Sequence, residues 1–246
     1  MMPRSPYIVF LILLIFFVIS FITNIIGPLM PDIIESFNLS LTLVALIPFA
    51  FFIAYGVMSI PAGMLLLKFK EKHLIVSAFI VIFFGAILLA LLPSYLTALF
   101  SFFIIGCGMA ILQVVINPLL RVTGGEEHFA MYAVFAQLVF GFASFLSPLV
   151  YTQLASETFF LANYPFLQNL STFLIPKELP WISLYFLFSV ISLFMILILA
   201  FSKFPKVELK SNEKSGALAT NIKLFKNKQI QLFFLGMVCY VGAEQG

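Results

Sequence analysis

The sequence predicts an all-α fold: a polytopic bundle of membrane-spanning helices, six of them complete and followed by the start of a seventh. Three observations predict it. Of the 246 residues, 63% are hydrophobic and only 9% are charged, against about 45–50% and about 25% in ordinary soluble domains; mean hydropathy is +1.15. Charge-free runs supply the roughly 20 residues of a spanning helix several times over, whereas a membrane β-barrel would show alternating segments of about ten residues. The basic residues, finally, sort to one side of the spans. The same composition excludes other classes. A net charge of +3 scattered over loops is no nucleic-acid signal. With only His73, His128, Cys107 and Cys239, no zinc-type spacing exists. No nucleophile–base pairing supports an enzyme.

Span 1 runs from about Tyr7 to Gly27 and is expected to stop at Pro28 and Pro31. Its uncharged run, Ser5 to Pro31, exceeds the apolar core of a secretory leader and has no small-residue cleavage site. Span 2 covers about Leu43 to Leu67. The next uncharged run, Leu74 to Leu120, would reach about 70 Å as one helix, over twice the ~30 Å hydrocarbon core. Pro93-Ser94-Tyr95 divides it into spans 3 and 4. Span 5 is about Phe129 to Gln153, span 6 about Trp181 to Phe201, and a seventh starts near Gln229. Thr158 to Pro176 is uncharged but carries Asn163, Pro165, Gln168, Asn169 and Ser171.

Charge arbitrates that last stretch. With it as an outer loop, Arg4, Lys68, Lys70, Lys72, Arg121 and the seven lysines from Lys203 to Lys228 share one side, and Lys177 alone takes the other. Lys/Arg excess marks cytoplasmic loops, so the N-terminus is expected inside, in a multi-pass protein of the cell's inner (plasma) membrane. The expected organisation is a six-helix bundle over 1–202, a cytoplasmic linker over 203–228, and the start of a second bundle over 229–246. That is the layout of half a twelve-helix transporter, so a missing C-terminal half is expected.

Neutral polar residues interrupt the apolar spans. Gln113 and Asn117 lie one turn apart and share a helix face. Each amide donates and accepts, as a sugar hydroxyl does. Pro118 removes a backbone hydrogen bond beside them and frees a carbonyl. Gln137 in span 5 and Asn24 in span 1 are further candidates for substrate binding. Two readings stay open: ligand contacts, or bridges between helices at about 0.6 kcal/mol each. Glu244, the one carboxylate inside a span, is the coupling candidate, because intramembrane acids are costly and usually functional. Gly106, Gly108 and Ala110 read as sites of close helix approach. Glu126, Glu127 and His128 read as a solvated turn.

Four stretches carry a resemblance: IGCGMAILQVVINP at 105–118, IPAGMLLLKFKEK at 60–72, MYAVFAQ at 131–137 and YVGAEQG at 240–246. They resemble the fucose/glucose/galactose permease family of the major facilitator superfamily. The family's span 4 has Glu or Gln four residues before Asn-Pro, which falls on Gln113. Its span 5 Gln falls on Gln137. The fucose/proton permeases carry acids in spans 1 and 4; the matching positions are Gly27 and Gln113, neither of which titrates. An Asn three residues after the span 5 Gln falls at Phe140, and the superfamily loop's usual Asp at Leu67. Gln in span 4 is what glucose/galactose members show. The resemblance implies a secondary transporter of a neutral sugar, a hexose such as glucose or galactose, with fucose also open. It implies alternating access with sodium or a proton as coupling ion and no other cofactor. Partners would be the sugar and the lipid bilayer, with no nucleic acid. Transport of another solute or drug, and a non-transporting membrane component, are the rival readings.

Overall fold

Each charge-free run has one low-cost way to satisfy its backbone in hydrocarbon, which is to close every N–H onto a carbonyl four residues back. The computed structural model describes residues 6–155, 179–204 and 227–245, and among them it contains helices and no strand. They are α1 (Pro6–Asn24), α2 (Ile26–Phe37), α3 (Leu41–Lys68), α4 (Glu71–Leu91), α5 (Tyr95–Gly124), α6 (Phe129–Ala155), α7 (Ser183–Phe201) and α8 (Lys228–Gln245), with short 3₁₀ turns at Glu126–His128 and Pro180–Ile182. Six stretches are long and apolar enough to cross a membrane, α1 and α2 counting together as one. The expected fold class and spans are therefore present. The expected outer loop 158–176 and nearly all of the 203–228 linker lie outside the described residues.

Span 1 departs from expectation. It does not stop at Gly27 and Pro28; the chain turns at Ile25 and continues as α2 to Phe37. Pro28 falls in the first turn of α2, where the missing N–H would have had no intrahelical partner anyway. Asn38 ends α2 in the left-handed conformation (φ 49°), and Leu39 N–H reaches back to the Ile34 carbonyl at 3.0 Å, a common way to finish a helix. Serines start the next long helices. Ser40 Oγ accepts from Leu43 N–H at the head of α3, and Ser94 Oγ accepts from Thr97 N–H at the head of α5.

The chain divides into two units, 1–207 and 208–246. In the first, α5 packs on α3, α4 and α1, while α1 also packs on α6 and α4 on α7. Glycines set the α5 contacts. A Cβ on Gly106 would sit 2.4 Å from the Phe51 carbonyl oxygen of α3, and one on Gly108 would sit 2.8 Å from the Ala78 carbonyl oxygen of α4. Without side chains there, the helix backbones approach closely and gain dispersion contact, the main attraction available between helices in lipid.

Polar ties close both ends of the bundle. At one end, Lys72 Nζ donates to the Ala200 and Ser202 carbonyls at 2.6 and 2.8 Å, satisfying oxygens that the end of α7 leaves without helical partners. Ser202 Oγ donates to the Ile198 carbonyl, so its 2.9 Å bond with Tyr7 uses the tyrosine proton. The start of α1, the start of α4 and the end of α7 thus share one end. At the opposite end, Trp181 Nε1 donates to Ser36 Oγ at 2.8 Å and its ring meets Phe37 edge-on. The second unit contributes α8, described by itself.

Candidate functional site

The α1 candidate stands at the helix break. Asn24 is the last residue of α1, and its Nδ2 lies 2.9 Å from the Ser20 carbonyl oxygen and 3.1 Å from Ser20 Oγ. A carbonyl oxygen only accepts, so the Asn24 group facing it is the NH₂. Among the described residues the amide oxygen has no donor and is left as an acceptor. Ser20 is fully buried, and its hydroxyl donates across the helix interface to the Phe140 carbonyl of α6 at 2.6 Å. That bond lands on the α6 backbone one turn beyond Gln137; it joins α1 to α6 and does not involve the Gln137 side chain. Nothing in the composition singles Ser20 out; its one sequence signal is its place four residues before Asn24.

The α5 pair is built by the same rule. Asn117 Nδ2 donates to the Gln113 carbonyl at 3.2 Å, so this amide too turns its oxygen outward. Pro118 has no N–H to give the Val114 carbonyl four residues back, which leaves a second acceptor at this level. Asn117 is exposed and Gln113 half-buried, while the opposite face of α5 is buried against α3 and α4. Gln137 is exposed on α6. Among the described residues no hydrogen bond joins the α5 pair to Asn24 or Gln137, and the side-chain amides of Gln113 and Gln137 have no partner. An amide turned into hydrocarbon without a partner costs several kcal/mol, of order 4–8 in a fully apolar medium. These faces therefore call for water, a solute or further protein against them.

Two other groups contribute less. Gly27 is exposed, and a Cβ there would meet nothing within 4 Å. No cluster of three His, Cys, Asp or Glu that could hold a metal occurs among the described residues. Glu244 falls in α8, but its side chain lies outside the described ones.

The arrangement is a bundle with open polar faces on adjacent helices, and a family model agrees with it. The model for the Major Facilitator Superfamily matches residues 12–245. The chain belongs to the Major Facilitator Superfamily. Its curated relatives in that superfamily include the L-fucose-proton symporter of Escherichia coli (strain K12), 27% identical over 98% of this chain and 58% of the relative. A glucose/galactose transporter of Brucella abortus is 38% identical over 46% of this chain and 28% of the relative. A putative glucose/galactose transporter of Helicobacter pylori is 28% identical over 94% and 55%. The chain spans about half the length of the relatives it matches along its whole extent. Among solved structures, the E. coli fucose:proton symporter superposes with a TM-score of 0.72 at 23% identity, covering 98% of this chain and 61% of that one. A bacterial homologue of the lysosomal transporter Spinster, in an inward-facing state, gives 0.69 at 17%, covering 92% and 50%. At those identities the likeness establishes the fold: a multi-pass, facilitator-type membrane bundle.

Proposed function

We propose that this chain supplies the first six-helix half of a secondary transporter that moves a neutral sugar, a hexose such as glucose or galactose, by alternating access. The observation that carries the reading is the polar face of α5. Asn117 and Asn24 both tie their NH₂ groups to their own helices and turn their oxygens outward. Gln113 and Gln137 keep whole amides available. Oriented acceptors beside unspent donors suit a ring of hydroxyls and fix no charge. The named relatives, fucose and glucose/galactose transporters, support the same class. In facilitator folds the site lies near the bilayer midplane between two repeat-built halves, so the second half of the site comes from helices beyond α7.

The reading extends to orientation and coupling. The twelve-to-one Lys/Arg split supports an N-terminus in the cytoplasm and the inner membrane as location. Gly27 and Gln113 offer no titrating group where fucose/proton permeases place their acids. We therefore favour sodium coupling, or none, over proton transfer at those two positions; the acids that remain within the helices are Asp32 and Glu35 on α2, which the extension of span 1 adds, and Glu244 on α8.

The test is uptake of radiolabelled glucose, galactose and fucose into vesicles containing the complete protein. Uptake is expected for a hexose, and the Gln113→Ala/Asn117→Ala pair is expected to weaken it. Lost bonds cost about 0.5–1.5 kcal/mol each, or about two- to twelvefold in affinity. Efflux of another solute with no sugar uptake would replace the reading, and unaltered uptake in the double variant would return the pair to a packing role.

A further inference from the structure

A second polar feature lies away from the amides, at the end of the bundle where Lys72 meets α7. A cavity of about 330 Å³ opens there between the start of α4 and the end of α7. Lys70, Lys72, His73 and Lys203 line it, together with Glu71 and Phe204. Three ammonium groups against one carboxylate leave a surplus of two positive charges.

The roles of the three lysines differ. Lys72 is held by the Ala200 and Ser202 carbonyls and forms a fixed floor that joins the two helices. Lys70 and Lys203 are exposed, one at the head of α4 and one just past α7. Glu71, the one carboxylate of the lining, is only 8% exposed. Two aromatic residues outside the cavity lining adjoin these lysines in the chain. Phe69, next to Lys70, is 54% exposed, and Phe201, two residues before Lys203, is 87% exposed. This is the level at which two spans leave the hydrocarbon, on the side assigned above to the cytoplasm.

We propose that this cavity holds the phosphate of an anionic phospholipid from the adjoining leaflet, with Lys70 and Lys203 as its charge partners and the Phe69 and Phe201 rings against its acyl chains. Lysine binds phosphate as a mobile point charge, and basic cavities between spans on the cytoplasmic side suit anionic headgroups. A free phosphate would use the same lysines and leave both rings bare. A bound lipid would bridge the ends of α4 and α7 beside the Lys72 tie. The inference stands apart from the sugar reading, since none of its residues belongs to the amide faces.

The experiment reads lipid retained on the purified protein by native mass spectrometry, after mixing with phosphatidylglycerol or phosphatidylcholine. Phosphatidylglycerol is expected to stay bound and phosphatidylcholine to be lost. Lys70→Gln/Lys203→Gln is expected to weaken phosphatidylglycerol retention about twenty- to thirtyfold, since each lysine near an anionic surface contributes about fivefold. Lys72 is left intact, and an unchanged melting temperature in the double variant confirms that its fold is. Equal retention of the two lipids overturns the proposal, and so does a double variant that binds phosphatidylglycerol like the parent. Inorganic phosphate at millimolar concentration distinguishes the sources: full displacement of the lipid by phosphate alone would mark a soluble-anion site and overturn the lipid assignment.

Discussion

Helices α1 and α5 carry the same local device and use it differently. In each, an asparagine donates its NH₂ to the carbonyl four residues back: Asn24 to Ser20, Asn117 to Gln113. In α1 the residue at the receiving end is a buried serine, whose hydroxyl is itself committed to α6. In α5 it is a half-buried glutamine with an uncommitted amide. The packing differs in parallel. No glycine occurs in α1, which seats itself with Ile12, Ile15, Ile19 and other branched side chains, whereas α5 brings bare backbone against α3 and α4 at Gly106 and Gly108. The comparison shows how one motif serves two ends. In α1 it is the serine that holds the frame, by its bond to α6, and the asparagine keeps only its oxygen unspent; in α5 neither residue is bonded across an interface among the described residues, which is why we propose the pair for a solute.

The contrast is broken most severely at the glycines. Gly106→Val would drive a side chain into the Phe51 carbonyl, a backbone atom that cannot move aside. We expect a loss of about 1–3 kcal/mol, the usual cost of overpacking, seen as a lowered melting temperature. A variant that melts like the parent would mean that α5 is not seated on α3 by close approach.

Next in size is a change of coupling. Gly27→Asp with Gln113→Glu places acids at the two positions where fucose/proton permeases have them, and open space at Gly27 admits the new side chain. A carboxyl group at either position would be able to take up and release a proton, which neither Gly27 nor Gln113 can do. Uptake driven by an imposed proton gradient is expected to appear or increase in this pair. An unchanged response would show that those two positions do not set coupling in this chain.

The finest distinction compares the two device partners. Asn117→Ala is expected to weaken sugar binding about two- to twelvefold at constant melting temperature. Ser20→Ala is expected to do the reverse, lowering stability by about 0.6 kcal/mol, the mean for a hydrogen bond between membrane helices, with a smaller effect on binding. Binding assays and thermal melts on the same two variants check both. Identical profiles would erase the difference between α1 and α5.

The same contrast marks what the residues alone disclose. Spans were legible because hydrocarbon admits so few backbone solutions: charge-free length, Pro93-Ser94-Tyr95 and the flanking lysines bounded α4 and α5 closely. Gly106 and Gly108 were legible as approach points because small residues in an apolar helix have few other uses. The break at Ile25 was not. Pro28 and Pro31 read as stops, yet Pro28 falls in the first turn of a new helix, where it costs no hydrogen bond, and Pro31 is carried inside α2 at the cost of the bond to the Gly27 carbonyl, so the helix continues to Phe37. Ser20 was not legible either, since its partner is a backbone carbonyl, and every residue has one. Gln113, Asn117, Gln137 and Asn24 stood out as amides in oil. Which of their atoms are spent depended on the i−4 carbonyls, and that only coordinates supply.

The Lys72 tie has a consequence in time. Its two carbonyls lie 128 and 130 residues further along the chain. At about 5–20 residues per second of synthesis, the ammonium waits roughly 6–25 s before α7 exists to receive it. Throughout that interval the head of α4 is a charged end with no protein partner from α7, and water or lipid headgroups must solvate it. The arrival of α7 then releases that solvation and fastens the two helix ends in one step, so the lysine acts as a latch on the order of assembly.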